Sequence, residues 1–257
     1  LKLDRAAAIG ISQSGKSPDI VSMLQSAARS GATAIAITNT PDSPLADAAD
    51  AVIDICAGEE QSVAATKTFV TSAVAGLAIV AGWSGDKALL GALDALPEAL
   101  ENALSCDWSP LVEATANANS LYVLGRGPGA AIAHEAALKF KETSGLHAEA
   151  YSTAEVLHGP AAIVQKGFPV LALSATDKAR SSILETCARL AGQGGSVFVT
   201  DPQPGAAIAL PVARTGNPLN DPIALVVSFY GFIEALARHR GFNPDEPPHL
   251  RKVTSTL

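Results

Sequence analysis

The sequence predicts an α/β fold in two similar halves, each a parallel sheet flanked by helices. Short apolar β-type runs alternate with helix-period stripes along the chain, the order expected of parallel strands joined by helical crossovers. The runs at 6–12 (AAAIGIS) and 32–38 (ATAIAIT) are almost continuously apolar, as strands covered on both faces are. The spacing also repeats: Ser12 precedes Ile37 by 25 residues, and Ser174 precedes Val199 by the same 25.

In the first half, strands are expected at 6–12, 32–38 and 52–56, buried on both faces. Between the first two, residues 20, 21, 24, 27 and 28 place apolar side chains on one face of a helix over 18–29, and Gly31 stands where that helix ends. A short helix is expected at 44–49 and a long apolar one at 66–81. In the second half, strands are expected at 121–124, 169–174, 196–200 and 207–212, with helices at 130–143, 178–191 and 219–238. Segments 86–105 and 109–118 carry leucines at 89, 90, 93, 96, 100 and 104 and read as connecting helices that pack the halves together. The resulting division is a first domain at 1–82, connecting helices at 83–119, a second domain at 120–238 and an arm at 239–257. The second half has a strand and helix before its Ser174 strand, whereas nothing precedes Ala6. The first domain is therefore expected to be incomplete at its N-terminus.

Composition narrows the function. Among 257 residues, 18 Lys and Arg face 25 Asp and Glu, a net charge of −7. Charged residues make up 17% and hydrophobic ones 48%, against about 25% charged in ordinary soluble domains. Such a chain is compact, and part of its surface is expected to lie under a partner subunit. The acidic balance, without a Lys/Arg run, argues against nucleic acid. No uninterrupted apolar run of about 18 residues suggests a membrane span. The start Leu1–Asp4 lacks the layout of a signal peptide, so a cytoplasmic location is expected. Cys56, Cys106 and Cys187 are odd in number and widely spaced, and read as buried free thiols with no disulfide or metal role.

Four segments carry chemistry. Ser12-Gln13-Ser14-Gly15-Lys16-Ser17-Pro18-Asp19 joins a strand to a helix, where backbone N–H groups and the helix dipole favour an anion. A capped turn needs only Ser17 and Pro18; the further hydroxyls of Ser12 and Ser14 make it a phosphate cradle. The spacing of a nucleotide P-loop is absent. Gly125-Arg-Gly-Pro-Gly129 lacks the dinucleotide spacing and reads as a tight turn lining the site, with no nicotinamide role. On the following helix, Glu135, Lys139 and Glu142 recur at spacings of four and three and share a face. A solvated charged stripe explains such a pattern on most helices. Here His147, Glu149, Glu155 and His158 follow on a loop of irregular pattern, which supplies groups for proton transfer near one cleft. His134 reads as a packed or capping histidine, and His239 has no functional reading. The proline-rich arm at 241–257 reads by default as a disordered end, yet its apolar residues would let it dock, bringing Lys252 with it.

With these segments in hand, the chain resembles the double SIS (sugar isomerase) module, two flavodoxin-like domains in tandem. SQSGKSPD in the first half and LKFKETSGLHAEAYSTAEVLHGP in the second carry the likeness. The nearest resemblance is to the isomerase half of glucosamine-6-phosphate synthase and to SIS-type glucosamine-6-phosphate deaminases. By that resemblance, Ser12, Gln13, Ser14 and Ser17 bind phosphate, and Val63 lines the substrate. Glu142 shuttles the proton between sugar carbons beside Lys139. His158 opens the sugar ring from a neighbouring subunit, and Lys252 meets the open-chain sugar. The resemblance thus implies a phosphorylated sugar substrate, a homodimer and no cofactor. Ala65 and Leu157 depart from the synthase pattern, where a Ser and a Lys stand, and the family's opening Gly-Thr-Ser turn has no match. No glutaminase segment or N-terminal nucleophilic Cys is found, which turns the expectation toward a hexosamine-phosphate deaminase. The synthase-type isomerase is the alternative, and a non-catalytic sugar-phosphate sensor the third reading.

Overall fold

The computed structural model describes residues 2–250 and 252. The described chain forms two compact units, one reaching to Ser84 and taking in the described residues from His249 onward, the other spanning Gly85–Pro248.

In the first unit, β1 (Ala7–Ser12), β2 (Thr33–Thr38) and β3 (Ala51–Asp54) form a parallel sheet in that order. Helix α1 (Pro18–Arg29) and the short α2 (Pro44–Asp47) lie on the face lined by Ala8, Ala34 and Ala36, with Leu24 and Leu45 buried between. The opposite face carries the isoleucines. Ile9 pairs with Ile35 and Ile11 with Ile37, yet Ile9 and Ile11 are 48% and 51% exposed. The expectation of burial on both faces therefore holds for β2 and fails for β1 and β3. Both are edge strands, and in β1 alanine on one face with isoleucine on the other erased the polar alternation that marks a half-covered strand. Helix α3 (Lys67–Ser84) is apolar nearly all round, with only Thr68 and Ala81 buried. By length and mean composition alone it could cross a membrane, although Thr71, Ser72, Gly76 and Gly82 interrupt its apolar run, as expected. Length and composition alone assign no membrane role.

In the second unit, five parallel strands run in the order β5-β4-β6-β7-β8. They are β4 (Ser120–Gly125), β5 (His147–Ser152), β6 (Pro169–Leu173), β7 (Ser196–Val199) and β8 (Ile208–Ala209). Every residue of β6 is buried, the double coverage its apolar run predicts. Val170, Ala172, Val197 and Val199 form a core with Ile183, Cys187 and Leu190 of α8 (Arg180–Gly192). Helix α7 (Gly129–Ser144) packs on β4 and β5 and against α9 (Asp221–His239). Phe140 meets Phe229 and Phe232 there at ring separations of 5.4 and 5.7 Å. The strand expected at 207–212 shrinks to two residues, because Pro211 has no N–H to continue the ladder.

Strand β5 corrects the expected irregular loop at 147–158. His147 and Glu149 point outward while Ala148 is buried, and the strand pairs in parallel with β4. The segment 86–105 is two helices, α4 (Lys87–Asp94) and α5 (Leu96–Leu104), broken ahead of Pro97. Asp86 caps the first by accepting from Ala88 and Leu89 N–H, both at 3.0 Å. These helices and α6 (Ser109–Thr115) fall in the second unit. All three cysteines are free, but only Cys187 is buried; Cys56 is exposed and Cys106 half-buried, because they follow the ends of β3 and α5. Burial pushes the Cys187 thiol up to about 12, which makes it unreactive at neutral pH.

Candidate functional site

The serine-rich turn leaves β1 at its carboxyl end and enters α1. Gly15 takes φ +62°, and a Cβ there would lie 2.0 Å from Ser43 Oγ, so only glycine fits. The turn is pinned from below: Thr38 Oγ1 donates to Gln13 O at 3.3 Å, Asn39 N to the same oxygen at 3.2 Å, and Leu45 N to Gly15 O at 3.0 Å. Ser12 and Ser14 hydroxyls accept from Gly15 and Lys16 N–H. Ser17 has the extended backbone of an N-cap, yet its hydroxyl makes no capping bond. The first turn of α1 therefore has no side-chain cap.

Two residues that the sequence did not single out hold the neighbouring segment. Asn39 donates through Nδ2 to Gly58 O at 2.7 Å and accepts from Ala57 N at 2.9 Å, tying 57–58 to the strand end beside the serine turn. Glu60, buried, accepts from Thr68 N at 2.8 Å, Thr68 Oγ1 at 2.9 Å and Thr66 N at 3.2 Å. Val63 is half-buried on the turn that Glu60 closes. A polar Thr-Asn-Thr at a strand end and a Glu ahead of two threonines were the available signals.

In the second unit, α7 aligns the charged residues as their spacing predicts. Lys139 Nζ lies 3.1 Å from Glu135 Oε1 and 2.8 Å from Glu142 Oε2. Lys139 and Glu135 are 4% and 8% exposed, while the Glu142 side chain is 22% exposed. The carboxylate on the ammonium's accessible side is thus Glu142. From α9, Tyr230 OH donates to Glu135 Oε1 at 2.8 Å, a partner 95 positions away that no local pattern reveals. The helix stops at Gly145, φ +57°, where Leu146 N closes back on Phe140 O at 3.1 Å and the Phe242 ring fills the space of a Cβ.

The 152–160 segment is built by a capping box, Ser152-x-x-Glu155. Ser152 N donates to Glu155 Oε2 and Glu155 N to Ser152 Oγ, both at 3.1 Å. The Ser152 hydroxyl and N–H hold the Glu155 carboxyl below the usual range, which commits it to structure. Glu149 accepts from Tyr151 OH at 3.0 Å. His158 ends the 3-10 turn Glu155–His158, exposed, while neighbouring Val156 is fully buried and Tyr122 OH holds Pro160 O at 3.1 Å. Among the described residues the His158 imidazole has no hydrogen-bond partner. His134 is exposed, which rules out the packed role among the two expected for it, packed or capping. Gly125–Gly129 makes the expected tight turn from β4 into α7. Lys252 is exposed and groups with the first unit; residues 251 and 253–257 of the arm lie outside the described residues.

The SIS domain family model matches residues 4–82 and 115–208, and the chain belongs to the SIS family. Glutamine–fructose-6-phosphate aminotransferase (isomerizing) from Aeropyrum pernix is 34% identical over 96% of this chain and 43% of its own length. That of Agrobacterium fabrum is 32% identical over the same shares. The chain thus spans less than half of these curated relatives. A solved structure of a candidate phosphosugar isomerase from Silicibacter pomeroyi superposes with TM-score 0.92 at 52% identity, over 95% of this chain and 75% of that one. The C-terminal domain of glucosamine-fructose-6-phosphate aminotransferase from Francisella tularensis gives 0.82 at 26% identity, over 96% and 75%.

Proposed function

We propose that the chain is a phosphosugar isomerase module of the kind that forms the isomerase half of glutamine–fructose-6-phosphate aminotransferase. On this reading it acts in the cytoplasm as a homodimer on fructose 6-phosphate and its 2-amino aldose counterpart. The observation that carries it is the Glu135–Lys139–Glu142 arrangement: a buried ammonium with one carboxylate facing outward. Aldose–ketose exchange takes a proton from one carbon and returns it to the next, and a single carboxylate does both. Glu142 is that base. The Lys139 ammonium steadies the negative charge that develops on the adjacent oxygen. His158, exposed and unpartnered, opens the sugar ring of the neighbouring subunit's ligand. Ser12, Gln13, Ser14 and Ser17 hold the phosphate, Val63 lines the chain of the sugar, and Lys252 meets its open-chain carbonyl.

The expectation of a deaminase leaned on the missing glutaminase segment. The chain's extent has no bearing on that choice, and the curated relatives favour the aminotransferase reading. Ala65 and Leu157 keep deamination as the second reading, since they replace the synthase's Ser and Lys. In that direction glucosamine 6-phosphate takes up water and yields fructose 6-phosphate and ammonia. A three-armed assay separates the readings: amino sugar formed from fructose 6-phosphate with ammonia or glutamine, ammonia released from glucosamine 6-phosphate, or binding without turnover. Glu142→Gln is expected to lower turnover by about 10²–10⁴-fold while leaving sugar-phosphate binding intact. Wild-type turnover in that variant would refute the assignment.

A further inference from the structure

The two units repeat one detail beyond their sheets. In the first, buried Thr38, the last residue of β2, donates to Gln13 O. In the second, buried Thr200 after β7 donates to Ser174 O at 3.4 Å and accepts from Ser174 N at 2.8 Å. Each loop then runs into a helix, α1 at Pro18 and α8 at Arg180. Residues 12–17 and 174–179, each the six positions ahead of its helix, therefore occupy corresponding loops. Their contents differ.

The second loop closes on a carboxylate. Asp221 Oδ2 accepts from Thr176 N at 2.9 Å and from the Thr176 hydroxyl, and Arg214 Nη1 lies 3.5 Å away. Asp221 Oδ1 accepts from Thr215 N at 3.0 Å and Thr215 Oγ1 at 2.9 Å. Asp221 is fully buried. Two N–H groups, two hydroxyls and a guanidinium around a planar anion are the donor set of an oxyanion site. Arg214 also donates to Ser174 O and Thr200 O, both at 2.9 Å, so it joins the loop to the carboxylate. Beside this cluster, the Ser174 hydroxyl and the Asn220 carboxamide are buried without a hydrogen-bond partner among the described residues. Buried polar groups are rarely left so; Ser174 shares Arg214 with the cluster and Asn220 immediately precedes Asp221.

We propose that Asp221 is a built-in anion, filling in the second half the place that a ligand's phosphate takes on the Ser12–Ser17 turn in the first. The duplicated chain then has one open anion cradle, and its second loop binds a small oxyanion only once this carboxylate is removed. The comparison with the first half rests on the phosphate reading of that turn; the donors around Asp221 do not.

Asp221→Ala removes the carboxyl group and leaves space for formate. Its melting temperature is expected to fall, and sodium formate to raise it by about 3 °C or more over sodium chloride at equal ionic strength. Wild type and Asp221→Asn, whose cradle stays filled, are expected to show no formate-specific rise. If Asp221→Ala does not stay folded, the comparison is made on refolding yield, with recovery expected in formate and not in chloride. Ser14→Ala tests the first turn separately: lost sugar-phosphate affinity belongs to that reading and leaves the formate response of Asp221→Ala untouched. Equal behaviour of Asp221→Ala in formate and chloride, by melting or refolding, overturns the proposal.

Discussion

Lys139 is confined by what surrounds it: Glu135 on one side, Glu142 on the other, and Tyr230 locking Glu135 through a 2.8 Å hydrogen bond. If the ammonium's position matters to the reaction, Tyr230 is a positioning residue. Tyr230→Phe is expected to lower kcat roughly fivefold, the worth of about one kcal/mol hydrogen bond, with KM unchanged. A fall in KM affinity instead would place its effect on binding. The spacing of Glu135, Lys139 and Glu142 was legible because a helix repeats on a fixed period. Tyr230, Asn39 and Glu60 were not, since each acts through a partner that folding brings near or through a turn without periodicity. Glu155 shows the converse: a carboxylate placed among proton-transfer candidates serves a capping box, a pattern visible in Ser152-x-x-Glu155 itself.

At the scale of elements, α7 is held in place by aromatic packing rather than by its own propensity. Phe140 is fully buried against Phe229 and Phe232 of α9, and Phe140→Ala is expected to cost about 3–5 kcal/mol. Denaturant unfolding measures that loss, and a change under about 1 kcal/mol would show that α7 is anchored elsewhere. Helix α1 was read from the sequence to the residue because Pro18 marks its first turn, and α9 starts two residues later than the expected 219. Strand β5 was missed: its alternation covers six residues that mix His, Glu, Tyr and Ser with small alanines, too short and too polar to announce a strand. The faces of β1 were misread for the opposite reason, since both are apolar and only packing distinguishes them.

For the molecule as a whole, the second unit carries an acid-sensitive network. Burial alone would raise the Asp201 carboxyl, but Arg180, at 2.6 and 2.7 Å, and the Gln203 N–H hold it below the usual carboxylate range. Asp221 is likewise held low against its burial by Thr176 and Thr215. Groups depressed on folding contribute stability above their unfolded value, about 3.9, and lose it as pH falls through the lower folded value. Unfolding free energy is therefore expected to drop below about pH 4, and less so in Asp201→Asn, which is itself destabilised by at most the low end of ~3–5 kcal/mol because Arg180 is one-third exposed. An identical acid slope in that variant would remove Asp201 from the network.

On the proposed reading, Glu142 moves the proton between the first two carbons of a sugar phosphate. Solvent-deuterium incorporation at C1 of fructose 6-phosphate, followed by NMR, reads that proton directly and needs no nitrogen donor. Wild type is expected to exchange it, Glu142→Gln to lose exchange while still binding the sugar phosphate, and Ser14→Ala to exchange only at raised substrate concentration. Exchange at the wild-type rate in Glu142→Gln would contradict the claim.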